Sequence, residues 1–553
     1  MDSITVTDFY RYETLTETLE RLAAAAPDLV SLTSIGETRE GRDIWRVTVA
    51  NTETGPPIDR RPALLVTANL HATELAGSWV ALDFLSHLVA AYPDDERVRG
   101  LLDERAFYVV PRVAIDGAED ALNLRGKVVR SRYVERDPDE VYETNTIVPQ
   151  DLDGDGRILT MRIPDEHGDA VPLEGDDRAM VSSDSSDDDR DRYQVVTEGV
   201  VANHDGGELD DPHYAHVRSD FNRNFPSRGW RPFDWRGHGR YPLSEPETRT
   251  VGEFVYDHPN IAGLVDLHTG NPAIFYPRAL AGSDPEHPAD AELLEEIGKR
   301  GEESTGFPYV WGYGELTGDR EPDQHLPGSF KDFAYDRLGI PAVIVELGLF
   351  YNYLGFDTRD ILSGAVDERE RTRRLLEYQD EHPDSDRVLF HEWRSFDHPQ
   401  LGTVEIGGPD RISHGNPPAE AMPDVAESVT QFLLEFAEYR PDVTISEFAA
   451  ERLEGDLHKV SATIVNRGKL ATSLTERGRE TNTYIPDRPR VDLRSDGHLE
   501  FVSGTARRKL DHLEAGGDRT SLEWIVRARD GGTAELTIES IRGVFAAETL
   551  ALE

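Results

Sequence analysis

The sequence contains no cysteine. Without it there is no disulfide framework, no thiolate nucleophile and no thiolate ligand, so any metal has to be held by His, Asp and Glu. Lysine is nearly absent: Lys127, Lys299, Lys331, Lys459, Lys469 and Lys509 are six of the 59 basic residues, and the rest are arginine. Positive charge is scarce altogether, with 106 acidic residues and a net charge of −47. Such a chain repels phosphate backbones and anionic bilayers, which excludes nucleic acid and membrane surfaces as partners. A carboxylate-coated, lysine-poor surface stays hydrated in concentrated salt, where screening shortens self-repulsion to roughly 3 Å at 1 M. The composition is that expected of a halophile's protein, an archaeal one. No stretch approaches 18 apolar residues, and the N-terminal MDSITVTDFYRYETL lacks a basic region followed by an apolar segment. The expectation is a soluble, cytoplasmic protein.

At 553 residues the chain is too long for one ordinary core. Residues 1–440 have α/β character, with an acidic, irregular insertion at about 133–217. Arg440-Pro441 marks a boundary, and beyond it the apolar residues alternate: Val460, Ala462, Ile464; Leu522, Trp524, Val526; the turn Asp530-Gly531-Gly532; Ala534, Leu536, Ile538. Period two with hairpin turns predicts an antiparallel β-sandwich over 441–553. Inside the insertion, SSDSSDDDRDR (Ser182 to Arg192) reads as a solvated loop. The nearby DLDGDGRI has the spacing of a calcium loop: Asp151, Asp153 and Asp155 at positions 1, 3 and 5, and Gly156 for the turn. Arg162 stands where a bidentate Glu is expected, so calcium requires a ligand from elsewhere, and the alternative is a plain acidic turn. Ser244 with Glu247 predicts a capping box.

The chemistry is organised around Pro62 to Phe84. An apolar run (Ala63, Leu64, Leu65, Val66) ends at Leu70, and Leu75, Trp79, Leu82 and Leu85 follow at helical spacing. His71 and Glu74 sit at the junction, where open α/β sheets bind ligands. Two further apolar strands end in polar residues: Ile261–Leu267 before His268, and Val343–Val345 before Glu346. Two His and one carboxylate make a three-ligand zinc site with an open position for water. A carboxylate in AVIVEL is costly to bury unless something uses it, and Glu346 is placed to take a proton.

The segments EGRDIW (Glu40 to Trp45), HATE (His71 to Glu74), DFNRNFP (Asp220 to Pro226), SEPET (Ser244 to Thr248), VDLHTG (Val265 to Gly270) and GSFKDFAY with VIVELG carry a resemblance. Over roughly residues 5–410 the chain resembles the zinc carboxypeptidases of the M14 (carboxypeptidase A) family. The resemblance implies a mixed-sheet α/β catalytic domain acting on peptides with a free C-terminal carboxylate. It implies one zinc, held by His71, Glu74 and His268, with Glu346 as general base. Arg130 matches the arginine that polarises the scissile carbonyl, with Arg132 and Arg125 as rivals. Asn222 and Arg223 match the pair that grips the terminal carboxylate, and Asp220 an acceptor that orients His71.

Two features depart from the family pattern. Its substrate-clamping tyrosine has no counterpart at the right distance before Gly328: counting back finds Asp323, with His325 close and Tyr313 further off. Phe330 and Lys331 compete for the position that sets side-chain preference. Lys331 in the pocket favours acidic C-terminal residues; otherwise it is a surface lysine paired with Asp332. Glu405 reads as a buried strand-end carboxylate, and His391 and His398 as loop or core histidines. The first functional expectation is a zinc carboxypeptidase. The second is an amidase or deacylase of N-acyl amino acids, and the third a catalytically silent peptide-binding homologue, which would have no need of Glu346.

Overall fold

The computed structural model describes residues 6–123, 130–132, 145–184, 187, 190–204, 206–207, 209, 213–214, 219–230, 237–281, 285–317, 327–385, 387–481, 488–496, 499–528 and 532–552. Arg125, Asp323, His325 and the turn residues Asp530 and Gly531 lie outside these.

The fold is α/β, built on one mixed eight-stranded sheet. In chain order its strands are β1 Val30–Glu37, β2 Asp43–Val49, β3 Ala63–Ala68, β4 Ala106–Val110, β5 Ile261–His268, β6 Ala273–Phe275, β7 Tyr309–Val310 and β8 Ala342–Glu346. Across the sheet they run β1-β2-β4-β3-β5-β8-β6-β7. β4, β3, β5 and β8 are mutually parallel. Their sequences are near-continuous apolar runs because helices cover both faces, and every residue of β3, β4 and β5 is buried. The helices Ala76–Ala91 and Met422–Ala437 pack on each other and on β3, with Trp79, Leu82, Leu85, Phe432 and Phe436 in the shared core. The register pairs Leu267 with Ala68 and His268 with Glu346. Three strand ends thereby become neighbours.

The acidic insertion is more ordered than its composition predicts. The strands Thr160–Pro164, Ala170–Leu173, Asp176–Ser182 and Tyr193–Thr197 lie within it. They join Phe390–His398 and Gly402–Pro409 in a six-stranded sheet with its own buried residues, among them Val171, Val181, Met161 and Ile406. Residues 443–552 form two four-stranded antiparallel sheets around Val460, Ile464, Leu493, Trp524, Leu536 and Ile538. The strand Leu457–Asn466 alternates strictly between buried and half-buried positions. Among the described residues, no helix is long and apolar enough to cross a membrane.

The capping box is corrected. The helix Pro246–Asp257 begins with Pro246 in its first turn, and Glu245 is the cap residue with no side-chain cap bond. Asn224 Oδ1 instead accepts from the Glu245 amide (3.3 Å) and from Thr248 Oγ1 (2.5 Å). Glu247 is fully buried, and neither of its carboxylate oxygens has a hydrogen-bond partner.

Candidate metal centre

The turn between β3 and the helix Ala76–Ala91 is shaped by Asn69, whose φ of 55° lies in the left-handed region that asparagine tolerates better than most residues. Its side-chain amide donates to the carbonyls of His71, Ala72 and Glu74, the last two at 3.3 Å. This hydrogen bonding folds residues 71–74 back over the strand end. His71 Nδ1 then lies 2.7 Å from Glu74 Oε1 and 3.1 Å from His268 Nδ1, and His268 Nδ1 lies 2.9 Å from Glu74 Oε2. All three side chains are buried.

Each imidazole is held from behind. His71 Nε2 faces Asp220 Oδ1 at 3.3 Å, and His268 Nε2 faces Asp266 Oδ2 at 2.7 Å. A carboxylate at Nε2 fixes the proton there and turns the Nδ1 lone pair toward the shared centre. Three donor groups therefore converge, with the two facing ring nitrogens sharing the Glu74 carboxylate between them. That donor set fits a divalent ion such as zinc. Against the cost of burial, the charges of His71 and His268 hold the Glu74 carboxyl well below its usual range. Asp266 was not singled out from sequence. The available signal was its spacing: residues i and i+2 of a strand share a face, so Asp266 is bound to accompany His268.

Glu346 lies across the β5–β8 register from His268, and its Oε2 is buried without a hydrogen-bond partner. Burial first, then the Glu74 charge, push its carboxyl up to about 7 against the pull of His268. Gly270 makes room here. A Cβ at that position would lie 2.7 Å from Glu346 Oε2 and 2.7 Å from Tyr313 Oη. Tyr313, the most distant of the tyrosine candidates in sequence, is thus beside Glu346, with its hydroxyl donating to Asn271 O at 2.7 Å.

Arg130 is at the centre: Nε binds Asp220 Oδ2 at 2.9 Å, and Nη1 lies 3.8 Å from Glu74 Oε1. Its rival Arg132 is engaged elsewhere, by Glu245 Oε2 at 2.6 Å. Arg223 Nη1 donates to Asn222 O, and its Nε is buried without a partner. Asn222 Oδ1 accepts from the Phe330 amide at 2.9 Å. Phe330 packs in the core, stacked on Phe225. Lys331 pairs with Asp332 at 3.0 Å as the sequence reading allowed, but it is buried rather than on the surface.

The calcium-loop residues lie apart from this centre. Asp151 and Asp153 come together with Glu198, whose carboxylate is buried and accepts from the amides of Leu152 and Leu159. Asp155 is not in that group and caps the Arg157 amide. Arg162 pairs with Glu405, which is one-third exposed rather than buried. His398 is a core histidine, bound to Gly199 O.

A family model described as zinc carboxypeptidase matches residues 15–147 and 199–358, more than half of the chain. The chain belongs to the zinc carboxypeptidase family. A second model, for a domain of unknown function, matches residues 442–551. The zinc carboxypeptidase of Saccharothrix mutabilis subsp. capreolus is 32% identical over 108 residues, covering 19% of this chain and 24% of its own. Carboxypeptidase B of Rattus norvegicus is 32% identical over 111 residues, 20% of this chain and 26% of its own. The match thus spans about a quarter of the length of these curated relatives. Among solved structures, carboxypeptidase A of Helicoverpa armigera aligns with a TM-score of 0.41 at 15% identity, over 70% of this chain and 78% of that one. Bovine thrombin-activatable fibrinolysis inhibitor, in complex with tick carboxypeptidase inhibitor, aligns with a TM-score of 0.41 at 14% identity, over 78% of this chain and 97% of that one.

Proposed function

We propose that this member of the zinc carboxypeptidase family hydrolyses the C-terminal peptide bond of peptides, with residues 1–440 as the catalytic part and 441–553 as an accessory domain. The observation that carries the reading is the meeting of His71, Glu74 and His268 beside Glu346, a buried carboxyl with one oxygen unpartnered. One zinc per chain, held by those three residues, would supply Lewis acidity, acidifying water and polarising the scissile carbonyl.

The side chains supply the rest. Glu346, poised near neutrality by burial, accepts a proton from the attacking water while the water oxygen bonds to the carbonyl carbon. It then delivers that proton to the amide nitrogen as the C–N bond breaks. Arg130, whose side chain is 34% exposed, offers its outer guanidinium edge to the oxygen on which charge develops. Arg223 and Asn222 bind the C-terminal carboxylate, for which a guanidinium has the matching pair of donors. Asp220 serves two groups, orienting His71 and fixing Arg130.

The test is to incubate the zinc-loaded protein with a peptide carrying a free C-terminus and with the same peptide amidated. Stepwise loss of C-terminal residues from the first alone is the expected result. Cleavage of N-acyl amino acids without peptide cleavage would replace this reading with a deacylase, and no turnover of either would leave a binding protein. A calcium ion in the Asp151 loop belongs to the same proposal, held by Asp151 and Asp153 with Glu198 supplying the carboxylate that Arg162 does not, while Asp155 stays outside the group. Equilibrium dialysis with calcium, comparing the natural chain with Glu198→Gln, checks it.

A further inference from the structure

The junction between the central sheet and the C-terminal sheets holds two arginines whose donors are incompletely used. Arg105 follows the helix Glu96–Glu104, and its Nη1 donates to Ala437 O. Arg440 binds Glu104 Oε2 at 2.5 Å and Asp442 Oδ1 at 3.1 Å through its two terminal nitrogens. In both residues Nε is buried without a hydrogen-bond partner. A buried N–H left unpaired costs about 1–3 kcal/mol. Two such donors, on two like charges, call for an acceptor between them.

Both arginines line one recess of about 10 Å³, enough for a single water-sized particle. Its other walls are Pro62, Ala63, Gly263, Phe436 and similar residues, and no carboxylate side chain is among them. A second, larger cleft of about 400 Å³ is also lined by Arg105 and Arg440 and adds Arg97, Arg467 and Lys469. This cleft inverts the balance of the chain, with five basic residues against four acidic ones, Glu96, Glu104, Glu438 and Asp442. Three of the acids are already paired: Glu104 and Asp442 with Arg440, and Glu438 with Arg97 and Lys469. Arg105 has no ion-pair partner among the described residues. Burial, together with the Arg440 charge, lowers its pKa to about 9.

We propose that this recess is a halide site, in which a chloride ion accepts from Nε of Arg105 and Nε of Arg440. A water molecule there could satisfy both donors but would have to place its own two hydrogens among mostly apolar walls. Phosphate, sulfate and carboxylates are too large for the space. A monatomic anion fits the volume, only accepts, and offsets the repulsion between the two guanidinium groups. The basic cleft that shares both arginines raises the local concentration of anions beside the recess. Because Arg105 leads into β4 and Arg440 into the first strand of the C-terminal sheets, the ion ties the two parts of the chain together.

The experiment uses the full chain. Thermal unfolding is followed in sodium chloride, bromide and gluconate at equal ionic strength, for the natural chain and for Arg105→Gln and Arg440→Gln. Chloride and bromide are expected to raise the midpoint above gluconate by roughly 2–4 °C in the natural chain and not in the variants. A bromide-soaked crystal of the natural chain, which does not depend on the variants folding, should show an anomalous peak within hydrogen-bond reach of both Nε atoms. A halide increment that persists in the variants, or a recess holding a water oxygen with no anomalous signal, overturns the proposal.

Discussion

The four parallel strands of the central sheet and the C-terminal antiparallel sheets both rest on β-pairing, yet they differ in where polar groups are buried. In the C-terminal sheets the burial alternates along the strand Leu457–Asn466, most of its polar residues are only half-buried, and Trp524 finds a carbonyl, Thr505 O at 2.9 Å, for its one donor. In β3, β4 and β5 of the central sheet both faces are covered, so a polar residue on these strands is buried wherever it falls. Asp266 and His268 are of this kind, at the carboxyl end of β5, and Glu346, half-buried with its Oε2 shut off from solvent, stands beside them at the end of β8. Their desolvation is what a reactive centre uses: it raises the Glu346 carboxyl and strengthens every charge interaction nearby. Among the described residues, the C-terminal sheets bury single polar groups such as His458 and Asn466 but bring together no comparable set of histidines and carboxylates.

The sharpest separation of the two regions comes from Glu346→Gln. It removes the proposed proton acceptor but none of the three proposed metal donors, so zinc content should stay at the natural level while peptide hydrolysis falls by roughly 10²- to 10⁴-fold. Metal analysis beside a peptide assay reads both quantities. Loss of zinc in this variant would mean that Glu346 is a ligand, and the division of roles would fail. The opposite perturbation is Trp524→Ala in the C-terminal core. With the tryptophan 1% exposed, the loss should be about 3–5 kcal/mol of stability in denaturant unfolding, with zinc affinity unchanged.

The central region was legible in sequence to the extent that its signals were local. His71 with Glu74, His268 and Glu346 each follow an apolar run, and a strand-end position can be read from one segment alone. Asp266 is equally local, two residues before His268 on the same face of the strand. The six-stranded sheet was not legible, because it pairs Gly402–Pro409 with Thr160–Pro164 across more than two hundred residues, and no short-range pattern encodes that pairing. The capping box failed for a related reason. Ser244 and Glu247 have the right spacing, but Asn224, distant in sequence, takes the Glu245 amide and leaves Glu247 to be buried. Tyr313 is the candidate farthest from Gly328 in sequence, a distance that folding does not respect.

Glu247 offers a measure of what the central region tolerates. Burial, as the first cause, raises its carboxyl from 4.5 to about 7. Between those values the folded protein holds a proton that the unfolded chain has released, so stability should fall as pH rises from about 4.5 to 7. The full difference is roughly 3 kcal/mol. Glu247→Gln, neutral at every pH, should flatten that slope and be the more stable protein at pH 8. Parallel slopes in urea unfolding of the two proteins from pH 4.5 to 8 would show that the carboxyl is solvated after all.

The smallest expected effect tests whether the polar pairs behind the metal ligands belong to the chemistry or to the packing. Asp266 touches no substrate: one oxygen faces His268 Nε2 at 2.7 Å and the other accepts from Thr67 Oγ1 at 2.7 Å. Asp266→Asn keeps the volume and leaves an amide oxygen able to accept from the imidazole, but it removes the charge that makes Nδ1 a better donor. Zinc affinity, read by competition with a chelator, should fall about 10- to 100-fold. Turnover per bound zinc should change much less, because Glu346, the proposed proton carrier, is untouched. An affinity equal to that of the natural chain would make Asp266 only a filler of the strand end, as uninvolved as any polar residue of the C-terminal sheets.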